Sequence, residues 1–325
     1  MALFCTTCGA RLGSDGACHA CGSNKAPWEV GTIQDWQAAN RALIQDVAGR
    51  FKLFGLLGEI GDGAVYKAHD LRDDVPVTVV LIVPEAMDDP RHALRLLAEA
   101  EAAADPVHDN VLPVVHFGES KDGSLFYITP MMQDPTLRTL LLRDHHFSPI
   151  AAARIGLQLA AVIEAAHKQG RAFGSVVPES IFVSGRGAMY RAKVMPPSMV
   201  GLLLGDYRPD NPASVMPIYF TPEALLGDPT TPASDIFRLG VLLYEMMTGE
   251  PPFDGTKPTH IAARVISHPP TNPTDHGVDL GRWDGASQTI DRMLAKAPRD
   301  RPSIETVSKW LIGLIEKWES SMAPS

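Results

Sequence analysis

The sequence predicts an α+β chain in which a small β-rich part precedes a larger helical part. A run of β-branched and apolar residues at Val77–Val83 is typical of a buried strand. Farther along, apolar residues recur at spacings of three and four between Ile155 and Ala166 and between Val307 and Trp318, as core helices require. All four cysteines lie within the first 21 residues, which sets off a third and very small part.

The length and the net charge of the chain argue against several classes of function. A chain of 325 residues has room for one two-lobed domain and a small appendage. Its formal net charge of -9 argues against a nucleic-acid backbone as partner, because that partner is itself an anion. No uninterrupted apolar run reaches the roughly 18 residues of a membrane helix. The start, Met1–Cys5, does not resemble a secretion signal, so we expect a cytoplasmic protein that does not enter a membrane.

The cysteines have the spacing of a zinc site. They form two C-x-x-C-G turns, with Cys5 and Cys8 in the first and Cys18 and Cys21 in the second, and nine residues lie between Cys8 and Cys18. Each turn presents two thiolates, and four thiolates suit tetrahedral Zn²⁺, whereas two disulfides or a redox pair are the alternatives. Residues 1–25 resemble a short zinc ribbon with a structural zinc ion. Arg11 and Lys25 are its only cations, which favours protein docking over nucleic-acid binding.

Residues 26–48 are predicted to be a linker that contains one helix. Between Thr32 and Val47 the apolar residues recur at spacings of three and four, and Gly49 follows the last of them. This pattern predicts a helix packed on the following domain, with docking of a partner as the alternative.

One stretch of the large part, Ala166–Val183, resembles the catalytic loop of protein kinases. That family's pattern is A-H-x-x-G-x-x-H-R-D-x-K-P-E-N, followed by apolar residues, and six residues fit it in register: Ala166, His167, Gly170, Pro178, Glu179 and Ile181. The resemblance assigns the catalytic base to Ser175, the loop lysine to Val177 and the metal-binding asparagine to Ser180. The three positions that carry the chemistry in the family therefore differ here.

Residues 49–132 resemble the small N-lobe of bacterial-type Ser/Thr kinases. The family's glycine loop, G-x-G-x-x-G-x-V, corresponds to the run Gly58-Glu59-Ile60-Gly61-Asp62-Gly63-Ala64-Val65. Ile60 replaces the middle glycine, and the carboxylate of Asp62 at the tip is expected to repel a polyphosphate. The resemblance makes Gly58, Gly61, Gly63 and Glu99 the remains of a nucleotide cleft, with Glu99 on a helix predicted over Pro90–Ala104.

Two further positions of this lobe depart from the family. The strand lysine that grips the ATP phosphates falls on Val80. Pro130 falls near the gatekeeper, and a proline is unusual in a central strand because it cannot donate to the ladder. The expectation is that either this strand is broken or the register is shifted by one residue.

Residues 133–325 resemble the large C-lobe, which completes a bilobal protein-kinase-like fold. The metal-binding D-F-G corresponds to Pro196-Pro197-Ser198, which contains no carboxylate. The structural landmarks are present, because Pro217–Glu223 resembles T-P-x-Y-x-A-P-E and Ser234–Val241 resembles S-D-I-Y-S-L-G-V. Thr248–Phe253 and Ala297–Ser303 match later elements of the family. The resemblance implies that Asp235 binds catalytic-loop backbone and that Glu223 pairs with Arg301 in the interior.

These departures lead to a functional hypothesis. Phosphoryl transfer needs the lysine, the base and the metal ligands together. We therefore expect a catalytically inactive, pseudokinase-like scaffold or regulator, without ATP or Mg²⁺, that binds proteins such as active kinases or other signalling proteins. The first alternative is a divergent ATP-binding Ser/Thr protein kinase with weak activity. The second is a zinc-ribbon protein that binds nucleic acid.

Overall fold

The computed structural model describes the chain in two units. It describes residues 50–60, 63–82, 108–119, 125–174, 176–186, 189–196, 217–277 and 286–322. The small unit contains the described residues up to 82 and those within 112–133, and the large unit contains 108–111 and the described residues from 134 onward. The four cysteines and the predicted helices Thr32–Val47 and Pro90–Ala104 lie outside the described residues.

The described part of the small unit is an antiparallel sheet. Its strands are β1 (Phe51–Ile60), β2 (Gly63–Asp70), β3 (Val75–Ile82), β4 (His116–Glu119) and β5 (Leu125–Pro130). They lie in the order β1-β2-β3-β5-β4, and each neighbouring pair is antiparallel. Alternating apolar residues place a buried cluster on one face of this sheet, as a period of two requires: Phe51, Tyr66, Ala68, Val77, Val79, Leu81, Phe126 and Ile128.

Pro130 occupies a position in the sheet where a missing N–H is tolerated. Strand β5 is continuous and ends at Pro130, which pairs with Val77 of β3. On its other side β5 pairs with β4 only from Leu125 to Ile128. Proline therefore stands beyond the stretch of β5 that is hydrogen-bonded on both sides, so the strand loses no central ladder bond to it.

The large unit is mainly helical. Its described helices are α1 (Leu137–Asp144), α2 (Pro149–Lys168), α3 (Pro222–Leu225), α4 (Pro232–Thr248), α5 (Pro258–Ser267), α6 (Ala286–Met293) and α7 (Ile304–Met322). Short 3₁₀ turns lie at Pro178–Ser180, Pro217–Tyr219, Pro273–His276 and Pro298–Asp300. Strands β6 (Ile181–Ser184) and β7 (Arg191–Val194) form an antiparallel pair.

Helix α4 is the most enclosed helix of this unit, since every residue from Ser234 to Thr248 is buried. Pro232 stands in its first turn, where a missing N–H costs nothing, and the Thr231 N–H donates to Ser234 Oγ at 3.0 Å. At the other end the Gly249 N–H donates to the Glu245 carbonyl at 2.8 Å. The helix packs against α2 and α6, which explains why most of its residues are apolar.

Helix α2 is long and apolar enough over Ile150–Lys168 to cross a membrane by length and composition alone. Within the large unit it packs against α4 and α7, and Ile155, Leu159 and Ile163 are buried. Gly156 allows this close packing, because a Cβ there would lie 2.6 Å from Leu243 Cδ2 of α4. Burial among protein helices accounts for its hydropathy.

The segment His108–Val111 is fastened to the large unit by side-chain and backbone bonds. Asn110 Nδ2 donates to the Ala192 carbonyl at 2.8 Å and to Gln158 Oε1 at 3.0 Å. In return the Val194 N–H donates to the Asn110 carbonyl at 2.8 Å. These bonds join the segment to α2 and β7, because Gln158 belongs to the first and Ala192 and Val194 to the second.

Gly249 provides a first test of the fold, with Gly313 as its control. Gly249 has a φ of +81°, and a Cβ there would lie 2.7 Å from the His145 carbonyl oxygen. We expect Gly249→Ala to lower the free energy of unfolding by about 2 kcal/mol, because alanine avoids this conformation and the neighbour is backbone. Gly313 lies within α7 with nothing near its Cβ position, so Gly313→Ala should instead raise stability by about 0.5 kcal/mol.

Urea unfolding of both variants measures the difference. A Gly249→Ala variant as stable as the wild type would contradict the described conformation of this helix end.

Candidate active site

The predicted glycine loop falls on the β1–β2 hairpin of the small unit. Gly58 pairs with Val65, and Ile60, at the end of β1, pairs with Gly63 at the start of β2. The register shifts between Leu56 and Gly58, so the hairpin is irregular next to the first glycine. Gly61 and Glu99, the other members of the predicted cleft, lie outside the described residues.

Val80 lies in the middle of the sheet and has no exposed surface (0%). It is opposite Val65 of β2 and Tyr127 of β5, which are also buried. Because Val79 and Leu81 belong to the apolar cluster, alternation places Val80 on the other face of β3. The position assigned to the strand lysine is therefore occupied by an apolar side chain in an enclosed row.

The predicted catalytic loop follows α2 in the large unit and is held by Asp235 of α4. The carboxylate accepts the Phe173 N–H at 2.7 Å and the Gly174 N–H at 2.9 Å. His167 Nε2 lies 2.9 Å from Asp235 Oδ2. The structure thus brings Asp235 together with loop backbone, in the arrangement that the resemblance implies. Ser175 itself lies outside the described residues.

The next turn of the loop uses its polar groups internally. Ser180 is fully buried, and its Oγ donates to the Val177 carbonyl at 2.8 Å. The Met195 N–H donates to the Ser180 carbonyl at 2.8 Å, which ties the turn to the end of β7. Pro196, next in the chain, is buried, and Pro197 and Ser198 lie outside the described residues.

A cluster of charged residues joins this turn to three other segments. Arg138 of α1 donates through Nε to Glu179 Oε1 at 2.7 Å and through Nη1 to Glu245 Oε1 at 2.6 Å. It also donates to the Tyr219 hydroxyl, which in turn donates to Glu245 Oε2 at 2.6 Å. Arg138, Glu179, Tyr219 and Glu245 are called the Arg138 cluster below. It binds the catalytic loop to the 3₁₀ turn Pro217–Tyr219 and to α4.

The charges of the Arg138 cluster stabilise one another. Burial opposes the charge on Arg138, but Tyr219, Glu179 and Glu245 together raise the pKa of its guanidinium above the ordinary value. Burial, together with Glu245, also raises the pKa of Tyr219, so its hydroxyl keeps the proton it donates. Reasoning from the sequence did not find this cluster. The available signal was Glu245, a carboxylate in an otherwise apolar stretch of α4.

The structure brings Glu223 and Arg301 together in the interior. Arg301 donates through Nη1 and Nη2 to the two carboxylate oxygens of Glu223, both at 2.8 Å. Ser234 Oγ donates to Glu223 Oε1 at 2.6 Å, and the Arg301 guanidinium also donates to the Ala233, Ala295 and Lys296 carbonyls. Burial alone raises the pKa of Glu223, but the bonds from Arg301 and Ser234 outweigh it and lower the pKa to about 2.

Comparison with known proteins bears directly on the site. The sequence model of the family described as "Protein kinase domain" matches residues 51–311. Serine/threonine-protein kinase pkn3 of Myxococcus xanthus is 28% identical over 83% of this chain and 51% of its own length. Serine/threonine-protein kinase PknD of Mycobacterium tuberculosis is 30% identical over 78% of this chain and 38% of its own length. This chain therefore spans about half, or less, of these relatives.

These findings correct the functional prediction. The inactive scaffold, predicted from Val80, Ser175, Val177, Ser180 and Pro196, is contradicted because the relatives are named as serine/threonine-protein kinases. That prediction rests on individual side chains, whereas the similarity to these kinases extends over most of the chain. The alternative of a divergent kinase agrees better with the comparisons.

The cofactor prediction is corrected with it. It combined a structural zinc ion with the absence of ATP and Mg²⁺, whereas protein kinases use ATP with Mg²⁺. Within the described residues, no group of three or more His, Cys, Asp or Glu side chains could hold a metal ion. The predicted ligands Cys5, Cys8, Cys18 and Cys21 lie outside those residues.

The low pKa of Glu223 predicts how the free energy of unfolding depends on pH. The ordinary pKa is 4.5 and the folded value is about 2, so the contribution of Glu223 is complete above pH 4.5 and is lost as the pH falls toward 2. Between pH 7 and pH 3 the wild type should lose roughly 2 kcal/mol of unfolding free energy that Glu223→Gln does not lose. Urea titrations at pH 7, 5, 4 and 3 measure the two slopes. Parallel slopes would contradict the assigned ion pair.

The Arg138 cluster predicts a contrast between two arginines of α1. Arg138→Leu removes the cation from two carboxylates, one of them buried, and should cost about 3 kcal/mol of unfolding free energy. Arg143→Leu is the matched control, because Arg143 pairs with Asp144 at the surface. That exposed pair should contribute less than about 0.5 kcal/mol. Equal losses from the two variants, measured by urea unfolding, would show that the cluster is not a stabilising unit.

Proposed function

Since the chain belongs to the protein kinase domain family, we propose that it is a divergent ATP-binding Ser/Thr protein kinase with weak activity. In this reaction the hydroxyl oxygen of a serine or threonine attacks the γ-phosphorus of ATP, ADP leaves, and the hydroxyl proton is released. The acceptor is proposed to be a protein that takes part in signalling, as expected of a bacterial-type Ser/Thr kinase.

One observation carries the proposal, namely the catalytic loop held against α4. Asp235 accepts two consecutive loop N–H groups, so the backbone next to the position of the base is fixed by charge-assisted hydrogen bonds. Most of the catalysis of phosphoryl transfer is positioning, and a fixed loop is its first requirement. The relatives named as kinases over the same part of the chain support this interpretation.

The described residues also explain why the proposed activity is weak. ATP with Mg²⁺ is the donor that this class uses, but two described positions do not fit the ion. Ser180 uses its hydroxyl within its own turn, and Pro196 has no side-chain oxygen. Val80 supplies no ammonium group for the phosphates. These positions therefore do not act as Mg²⁺ ligands, and the described residues contribute to the reaction through the positioning of the loop.

Transfer of radioactive γ-phosphate from ATP tests the proposal. The intact chain, made in a purified translation system that contains no other protein kinase, is incubated with Mg²⁺ or Mn²⁺ and a basic protein acceptor. Label should appear slowly on serine or threonine of the acceptor or of the chain itself. Asp235→Asn should reduce the rate by at least about tenfold, because an amide NH₂ now faces loop N–H donors that need an acceptor.

The control is the same substitution at the surface. Asp254 is exposed and pairs with Arg264, so Asp254→Asn should retain the rate to within about twofold. Circular dichroism at the assay temperature confirms that each variant is folded. If the wild type transfers no more label than Asp235→Asn, the proposed activity is wrong.

A further inference from the structure

Both backbone polar groups of Gly174 are bound by side chains of α4. The Gly174 N–H donates to Asp235 Oδ1 at 2.9 Å, and the Gly174 carbonyl accepts from Arg238 Nη1 at 3.1 Å. Asp235 and Arg238 are three residues apart, so they project from the same side of the helix. Gly174 has a φ of +106°, a backbone conformation that residues with a Cβ rarely adopt. A glycine adopts many other φ values equally well unless hydrogen bonds hold it at this one.

Arg238 is an unexpected residue in this place. It lies on the most enclosed helix of the large unit and is only 7% exposed. Burial lowers the pKa of its guanidinium, so the charge is costly here, although Asp235 Oδ1 at 3.6 Å offsets part of that cost. An apolar side chain would fill the same position without this cost. The described contact that uses the guanidinium as a donor is the bond to the Gly174 carbonyl.

This sequence differs from two kinase family patterns at the two residues that form this contact. In the loop pattern, H-R-D, the aspartate corresponds to Ser175, so the arginine corresponds to Gly174. In the helix pattern, S-D-I-Y-S-L-G-V, a small serine corresponds to Arg238. Relative to the two family patterns, the loop therefore lacks a guanidinium at Gly174, and the helix beneath the same loop residue carries one at Arg238.

We propose that Arg238 is a positioning residue of the catalytic loop, which holds the Gly174 carbonyl and so fixes the chain immediately before Ser175. The catalytic part of this inference rests on the proposed function. The physical part does not, since it concerns only whether the bond limits the conformations of Gly174. Without Arg238 the carbonyl loses its described donor, and one of the two bonds that keep Gly174 at positive φ is gone.

Kinetics of two variants test the catalytic part. Arg238→Met keeps much of the side-chain volume but has no donor, so kcat should fall about tenfold, the equivalent of one such hydrogen bond, while KM for ATP changes less than about twofold. Arg238→Lys keeps a cationic donor and should recover at least about a third of the wild-type kcat. A KM that rises with an unchanged kcat, or a lysine variant no better than methionine, would overturn the positioning role.

Hydrogen–deuterium exchange tests the physical part without any need for activity. Peptides that span residues 171–177 should exchange at least about fivefold faster in Arg238→Met than in the wild type, and about twofold faster in Arg238→Lys. Leu311→Ala is the control. It removes most of a fully buried side chain of α7 and leaves a cavity in its place, so it lowers global stability without removing a bond to the loop. In this control the same peptides should exchange at nearly the wild-type rate.

The outcomes separate the two proposals. A wild type that transfers no phosphate but shows the predicted exchange rates contradicts the kinase function and supports the role of Arg238 in the loop. Loop exchange in Arg238→Met that matches Leu311→Ala contradicts the role of Arg238, whatever the activity. If Arg238→Met does not fold, Arg238→Ser replaces it, because serine is the residue of the family pattern at this position and is too short to reach the Gly174 carbonyl. Loop exchange in Arg238→Ser that matches Leu311→Ala would refute the inference.

Discussion

The rest of the large unit depends on the hydrogen bonds that the buried carboxylate of Asp235 accepts from the catalytic loop. A loop without regular structure has N–H groups that need acceptors, and burial makes each unpaired one costly. Asp235 satisfies two of them and also contacts His167 at the end of α2. One side chain therefore determines how a long core helix passes into the loop that follows it.

Other buried polar side chains along α4 fix neighbouring segments in the same way. Ser234 bonds to Glu223, Asp235 and Arg238 to the loop, and Glu245 to Arg138 and Tyr219. The polar groups of this buried helix therefore bind several different segments. Such groups contribute little stability beyond what apolar residues would provide in their place, although the loss of one partner alone is costly. They instead define one arrangement, since a shift of α4 by a single residue would leave several buried charges unpaired at once.

Sequence reasoning found the parts of this arrangement that belong to short motifs. Glu223, Asp235 and Arg301 stand within recognisable runs, and the structure places each of them against the expected type of partner. It missed the Arg138 cluster, because Arg138 and Glu245 are 107 residues apart and no local pattern links them. The prediction of inactivity is wrong for a different reason. It rests on single positions, whereas the similarity to named kinases extends over most of the chain.

The buried row of Val65, Val80 and Tyr127 has an evolutionary consequence. An ammonium group introduced at Val80 would enter a position without access to water, where an unpaired charge costs several kcal/mol. Its neighbours would have to shrink or supply an oxygen before the new residue became tolerable. A lysine at this position therefore requires several coordinated substitutions, so the packing of the small unit opposes its introduction by any single mutation.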